Sequence, residues 1–172
     1  VITGGAGFLG LRLAQEILHR GSLRNRSGQL ETVNKLTLID VVPAELKDPR
    51  VQFKVGDISQ LEFLKSSIDS DVDSIFHLAA IVSGQAEADF DLGMRINLDA
   101  SRNLLEICRA MQTSPKVVFT SSVAVYGGEM PDIVQDDTAL NPKSSYGIQK
   151  AIGELLLSDY SRRGFVDGRI LR

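Results

Sequence analysis

Val1-Ile2-Thr3-Gly4-Gly5-Ala6-Gly7-Phe8-Leu9-Gly10 is the stretch whose reading decides the fold. Two apolar β-formers run into a turn with four glycines, and an amphipathic stretch from Leu11 to Leu18 follows. That order is strand, tight turn, helix. A turn this sharp needs residues free to take φ > 0, which glycine does without steric cost. Bare backbone amides can also approach a pyrophosphate closely, and Gly10 inside the first helical turn lets helix and strand pack tightly. The unpaired amides and dipole at the helix start favour the phosphate charge. Two spacings coexist, Gly5-x-Gly7-x-x-Gly10 and Gly4-x-x-Gly7-x-x-Gly10. Glycine patterns arise by chance in many loops. The strand before and the helix after make this one a dinucleotide-binding fingerprint.

The bulk numbers agree with one ordinary domain. At 172 residues, 43% hydrophobic and 24% charged, the chain can bury a real core. A net charge of −3 gives no basic footprint, so nucleic acid is not an expected partner. No apolar run reaches the roughly 20 residues that cross a bilayer, so no membrane partner is expected either. The single cysteine, Cys108, excludes an internal disulfide framework and suits a reducing, cytoplasmic setting. Its neighbours Leu104, Leu105 and Ile107 mark it as an inert core thiol. Val1 begins inside a strand pattern, and Asp167 to Arg172 stops as another strand starts. The sequence is therefore expected to be a segment, residues 1–172, of a longer chain.

Outward from the glycine loop, strand and helix signals alternate. The first helix ends near Gly21, and the polar stretch Ser22 to Lys35 reads as an exposed loop or extended connection. Leu36-Thr37-Leu38-Ile39-Asp40 is a second strand ending in a carboxylate. An acid at that strand end can accept from the adenosine ribose hydroxyls and repels a 2′-phosphate. The usual offset from the glycines is about 20 residues; the polar insertion accounts for the longer spacing here. Val41 and Val42 follow rather than an arginine, so NAD is favoured over NADP. The alternative is that Asp40 only caps the strand.

Val51 to Val55 is a third strand delivering Gly56-Asp57-Ile58, where Asp57 either meets the adenine or N-caps the helix carrying Leu61, Phe63 and Leu64. Asp73 to Ala80 is a fourth, with small residues at its end for a flat ligand. His77 within it reads as a satisfied structural histidine. Ile81 to Gly93 reads as a loop near the nicotinamide end, and Ser83 in it is a candidate substrate contact. Asn97 to Met111 is helical, and Val117 to Ser122 is a fifth strand ending in hydroxyls. The alternation predicts an α/β, doubly wound parallel sheet with helices on both faces. Its ligands bind outside the carboxyl ends of the strands.

Tyr146 and Lys150 open a helix that runs to about Tyr160, and at i and i+4 they share one face. A phenol titrates near pH 10, so acid–base work at neutral pH needs a neighbour that stabilises the phenolate. An ammonium does that. Ser122 can donate to a substrate oxygen as charge develops there. Tyr-x-x-x-Lys alone is common in helices. Beside five converging strand ends it points to hydride transfer at an alcohol or ketone carbon.

The chain resembles the extended short-chain dehydrogenase/reductases, the superfamily of NAD-dependent epimerases and dehydratases acting on nucleotide sugars. The resemblance rests on Thr3 to Gly10, Asp40, Gly56-Asp57-Ile58, His77-Leu78-Ala79-Ala80, Asn97, Thr120 to Gly127 and Tyr146-x-x-x-Lys150, which span nearly the whole sequence. It implies that Phe8 and Leu9, with Gly4, Gly7 and Gly10, meet the NAD pyrophosphate. It also implies that Asp40 takes the adenosine ribose and Asp57 and Ile58 the adenine. Leu78, Ala79 and Ala80 would line the cofactor's centre, Asn97 would order the site, and Tyr146 and Lys150 would also hold the nicotinamide ribose. No metal ligand set is implied. Local strings, Ala80 to Asp91, Ser144 to Glu154 and Asp159 to Arg169, are similar to a branch that oxidises the four-carbon sugar acid D-erythronate with NAD. The resemblance also implies that the family's C-terminal substrate lobe is mostly missing from this segment after Arg172. The resemblance further implies a homodimer through the Asn97–Met111 and Ser145–Tyr160 helices.

Three functions follow as expectations. The first is an NAD-dependent oxidoreductase acting on a small sugar acid, with Tyr146, Lys150 and Ser122 catalytic and Ser122, Tyr146 and Ser83 near the substrate. The second is a nucleotide-sugar epimerase or dehydratase, which forms no net NADH. The third is a cofactor-binding regulator without turnover, against which the intact Ser122, Tyr146 and Lys150 argue.

Overall fold

The computed structural model describes residues 1–172. Six strands form one parallel sheet: β1 (Ile2–Thr3), β4 (Leu36–Asp40), β5 (Val51–Val55), β6 (Ser74–His77), β7 (Lys116–Thr120) and β8 (Asp167–Leu171). Their spatial order is β5-β4-β1-β6-β7-β8, so the chain winds outward one way from β1 and then the other. This is the doubly wound order, with its switch point beside β1. Helices are α1 (Phe8–Arg20), α2 (Leu61–Ser67), α3 (Ser83–Ala88), α4 (Phe90–Gly93), α5 (Ala100–Met111) and α6 (Ser145–Arg162).

Alternation along β4 sends Leu36 and Leu38 to one face of the sheet and Ile39 to the other. On the first face Leu36, Leu38 and Ile2 pack with Ala14 and Ile17 of α1. On the second, Ile39, Ile75, Val117 and Phe119 pack with Leu64 of α2, Leu104 and Cys108 of α5 and Leu157 of α6. Both faces are covered, which is why the inner strands read as nearly continuous apolar runs. Cys108 is fully buried, and that burial pushes its thiol up to about 12, in keeping with an inert core residue.

Three elements differ from the reading of the sequence. Within the polar stretch Ser22–Lys35 lies an antiparallel hairpin, β2 (Ser22–Arg24) with β3 (Leu30–Thr32). Its turn is held by Asn25 Oδ1, which accepts from Ser27 Oγ and Gln29 N. Ile81 to Gly93 is mostly helical, as α3 and α4; Asp89 caps α4 by accepting from the Leu92 amide at 2.9 Å. The helix expected from Asn97 continues upstream through a π-helical turn, Met94–Asp99, that feeds α5. A π turn inserts an extra residue, so the 3.6-residue period fades there.

Candidate active site

Strand β1 ends in the glycine turn, and Gly4 adopts φ +72°, the left-handed region that favours glycine. A Cβ on Gly10 would stand 2.1 Å from the Gly4 carbonyl oxygen, so α1 can leave the turn only with glycine there. Gly7 caps α1 with no side-chain hydrogen bond. The first-turn amides therefore have no capping side chain and suit an anion. Asp40, at the end of β4, ties itself to this turn. Its Oδ2 accepts from Ala6 N at 3.0 Å and its Oδ1 from Val41 N at 2.7 Å.

A cavity of about 380 Å³ opens along this edge, within the range of small-molecule pockets. Eleven residues expected to bind cofactor line it: Gly4, Gly7, Phe8, Leu9, Gly10, Asp40, Asp57, Ile58, Leu78, Ala79 and Ala80. Its lining is mostly apolar, with the two carboxylates at the β4 and β5 ends. The donor set fits a dinucleotide: orphan amides for phosphate, an acid for ribose, and apolar walls for flat rings. Asp57 does not N-cap α2. Gln60 holds that position, while Asp57 Oδ1 accepts from Ser59 N at 2.8 Å and closes the turn before the helix.

Asn97, Tyr146, Lys150, Ser122 and Ser83 lie outside the cavity lining. Ser83 is exposed at the start of α3. Ser122 follows β7, and its Oγ accepts from Ala124 N at 3.1 Å, so its own proton is free for another acceptor. The turn Val123–Val125 then meets α6 at Gly147, where a Cβ would come within 2.2 Å of the Ala124 carbonyl. This contact brings the segment just after Ser122 against the residue next to Tyr146. Lys150, only 2% exposed, donates to the Thr120 carbonyl at 2.8 Å. Its Nζ lies 4.7 Å from the Phe119 ring centre and 5.8 Å from that of Tyr146. Burial lowers its ammonium to about 8.

Beneath the cavity runs a buried polar thread that the sequence did not disclose. Thr3 Oγ1 accepts from Ala79 N at 3.3 Å and lies 2.7 Å from His77 Nδ1; His77 Nε2 lies 2.9 Å from Ser101 Oγ, which bonds Asn97 O at 2.7 Å. The Asn97 carbonyl can only accept, so Ser101 gives it its proton and must receive one from His77 Nε2–H. His77 Nδ1 is then bare and accepts from Thr3. Burial first, and the Lys150 charge second, lower the His77 imidazole to about 3. His77 is thus the satisfied structural residue that its apolar setting suggested. Asn97 Oδ1 accepts from Ile81 N at 2.8 Å; its Nδ2 donates to Ile81 O at 3.1 Å and to Gln149 Oε1 at 2.7 Å. Thr3, Ser101 and Gln149 are the residues that sequence reasoning missed. Only an apolar-run position occupied by a polar residue could have flagged them.

The profile of the NAD dependent epimerase/dehydratase family matches residues 1–172. The chain is 67% identical over its whole length to the D-erythronate dehydrogenase of Cupriavidus necator, covering 53% of that protein. It is 47% identical to the Haemophilus influenzae D-erythronate dehydrogenase, again over 53% of that protein. The chain thus spans about half the length of these curated relatives. Among solved structures, a nucleoside-diphosphate-sugar epimerase from Agrobacterium tumefaciens superimposes with TM-score 0.90 at 46% identity, covering 99% of this chain and 51% of that one. The UDP-glucose 4-epimerase of Thermus thermophilus, solved in complex with NAD, gives 0.82 at 27% identity, covering 99% and 53%.

Proposed function

The chain belongs to the NAD dependent epimerase/dehydratase family, and from that premise we propose that it forms the cofactor-binding half of an NAD-dependent dehydrogenase of a small sugar acid, D-erythronate or a close analogue. The observation that supports this reading is the cavity with dinucleotide chemistry; on α6, Lys150 Nζ lies 5.8 Å from the Tyr146 ring centre, and Gly147 packs against the turn that follows Ser122. The sugar acid is favoured by the 67% and 47% identity to two D-erythronate dehydrogenases.

Bound NAD supplies the hydride acceptor. The first-turn amides of α1 hold its phosphates, Asp40 its adenosine ribose and Asp57 with Ile58 its adenine. Tyr146 takes the proton of the substrate hydroxyl as the carbon becomes a carbonyl. Lys150, fixed by the Thr120 carbonyl, keeps an ammonium beside the phenolate. Ser122 spends its free proton on the substrate oxygen. Ser83 stands as a further substrate contact. Asn97 holds the segment after β6 in place at Ile81.

A nucleotide-sugar epimerase or dehydratase is the second reading, supported by the 46% identity to the Agrobacterium epimerase. NADH absorbance with the full-length protein and a panel of four-carbon sugar acids separates the two, with nucleotide sugars assayed in parallel for altered product. The expected result is net NADH with the acids, lowered at least about 100-fold by Tyr146→Phe. Altered nucleotide sugar without net NADH promotes the second reading. NAD binding without turnover on either panel points instead to a regulator. The same proposal places the protein in the cytoplasm and pairs it with a second copy through α5 and α6. On α6, Ile148 and Leu155 are exposed apolar residues at 46% and 66%.

A further inference from the structure

We infer that Gln149 is a positioning residue: its side-chain carbonyl orients the Asn97 carboxamide, which clamps the Ile81 peptide on the cavity wall and couples α6 to that wall. The inference rests on the cofactor reading proposed above and deepens it.

Hydrogen accounting leaves each amide one orientation. Ile81 N–H needs an acceptor, so Asn97 turns its oxygen there and its nitrogen toward Ile81 O and Gln149. Gln149 must then present oxygen to Asn97, at 2.7 Å. Reversing Gln149 would set one NH2 group against another. The chosen orientation leaves Gln149 Nε2 buried without a partner. Gln149 is 1% exposed, so an apolar side chain of the same shape would suit this place better by packing alone. What the glutamine adds is a single acceptor, and that acceptor serves Asn97. Asn97 spends its other two side-chain bonds on Ile81, which lines the cavity. Gly93 keeps the room open. A Cβ there would come within 2.8 Å of Gln149 Nε2 and 3.1 Å of Oε1. Gln149 directly precedes Lys150, so the bond joins the helix bearing Tyr146 and Lys150 to the wall at Ile81.

The test uses the full-length protein and three variants: Gln149→Met, Gln149→Glu and Gly93→Ala. Amide exchange at Ile81, thermal melting, NAD affinity by calorimetry and steady-state KM for NAD are read together. In Gln149→Met, Ile81 exchange is expected to rise at least tenfold, and Kd and KM for NAD to rise together about fivefold. Its melting temperature should stay close to the parent's, because the orphan Nε2 is removed while the Asn97 Nδ2–H that faced Gln149 becomes an orphan in its place. Gln149→Glu keeps an acceptor and restores Ile81 protection. Gly93→Ala displaces an unchanged glutamine and reproduces the loss; it decides the matter if Gln149→Met does not fold. Parent-like Ile81 exchange in Gln149→Met overturns the inference, as does a fall in melting temperature that accounts for weaker NAD binding, or no rescue by Gln149→Glu. A parent that binds no NAD defeats the cofactor reading, while Ile81 exchange still judges the Gln149 contact.

Discussion

At His77 the proton count has consequences for the whole domain. The native imidazole stays neutral to about 3, whereas an unfolded histidine takes a proton near 6.5. Between those values the unfolded state binds more protons, so stability falls as pH drops through this window and is unaffected by His77 above it. Nitrogen NMR should show an Nε2–H tautomer with a bare Nδ1 at pH 7 and at pH 5; an imidazolium at pH 5 would contradict the thread. Lys150 works at the other end of the scale. Its folded value, about 8, lies below a lysine's ordinary 10.5, so native protein releases that proton first and stability rises between the two. Lysine side chains labelled with carbon-13 should reveal one group titrating near pH 8 that vanishes in Lys150→Met. Asp40 carries the third expectation. Asp40→Asn weakens ribose acceptance and removes repulsion of a 2′-phosphate, so the preference for NAD over NADP should shrink about tenfold, measured as a ratio of kcat/KM values.

Helix α6 owes its start to Ser144, whose Oγ accepts from the Gly147 amide at 3.1 Å. Ser144→Ala should cost about 1 kcal/mol in denaturant melts, and kcat should fall with it because Tyr146 sits in that first turn. An unchanged kcat would mean the turn is held by Gly147 against Ala124 alone. The strands that border the cavity were legible because alternation and bounding glycines mark them: β4 and β5 begin and end where the pattern puts them. Hairpin β2–β3 was not, since Ser22-Leu23-Arg24 and Leu30-Glu31-Thr32 pair through backbone with no apolar face to announce it. Helices α3 and α4 hid behind Ser83, Gly84, Asp89 and Asp91, residue types that usually mark turns, although Ala86 and Gly93 are buried there. The cavity edge could be read from Gly7, Asp40 and Ala80 because Asp40 ends a strand and the other two follow one within four residues. Thr3, Ser101 and Gln149 could not, because their partners lie 74, 24 and 52 residues away, and pairing at that range is set by the fold rather than by local pattern.

Across the whole molecule, burial separates a firm sheet from a loose appendage. Strand β3 is exposed along its length, whereas Leu38, Ile39, Ile2 and Ile75 are fully buried. Hydrogen exchange should therefore clear the β2–β3 amides long before those of β4, β1 and β6; equal protection would mean that something covers the hairpin. The order of the strands also sets a schedule for synthesis. Ile2 pairs with Leu38 on one side and with Phe76 on the other. At about 5–20 residues per second on the ribosome, the second neighbour of β1 follows the strand out of the tunnel about 4–15 s later. Through that interval the strand destined for the middle of the sheet has an open edge, free to pair with another nascent chain. A crowded polysome is thus the place where this domain is most exposed to misassembly, and chaperones that shield nascent chains would have their work concentrated on the glycine loop and its strand.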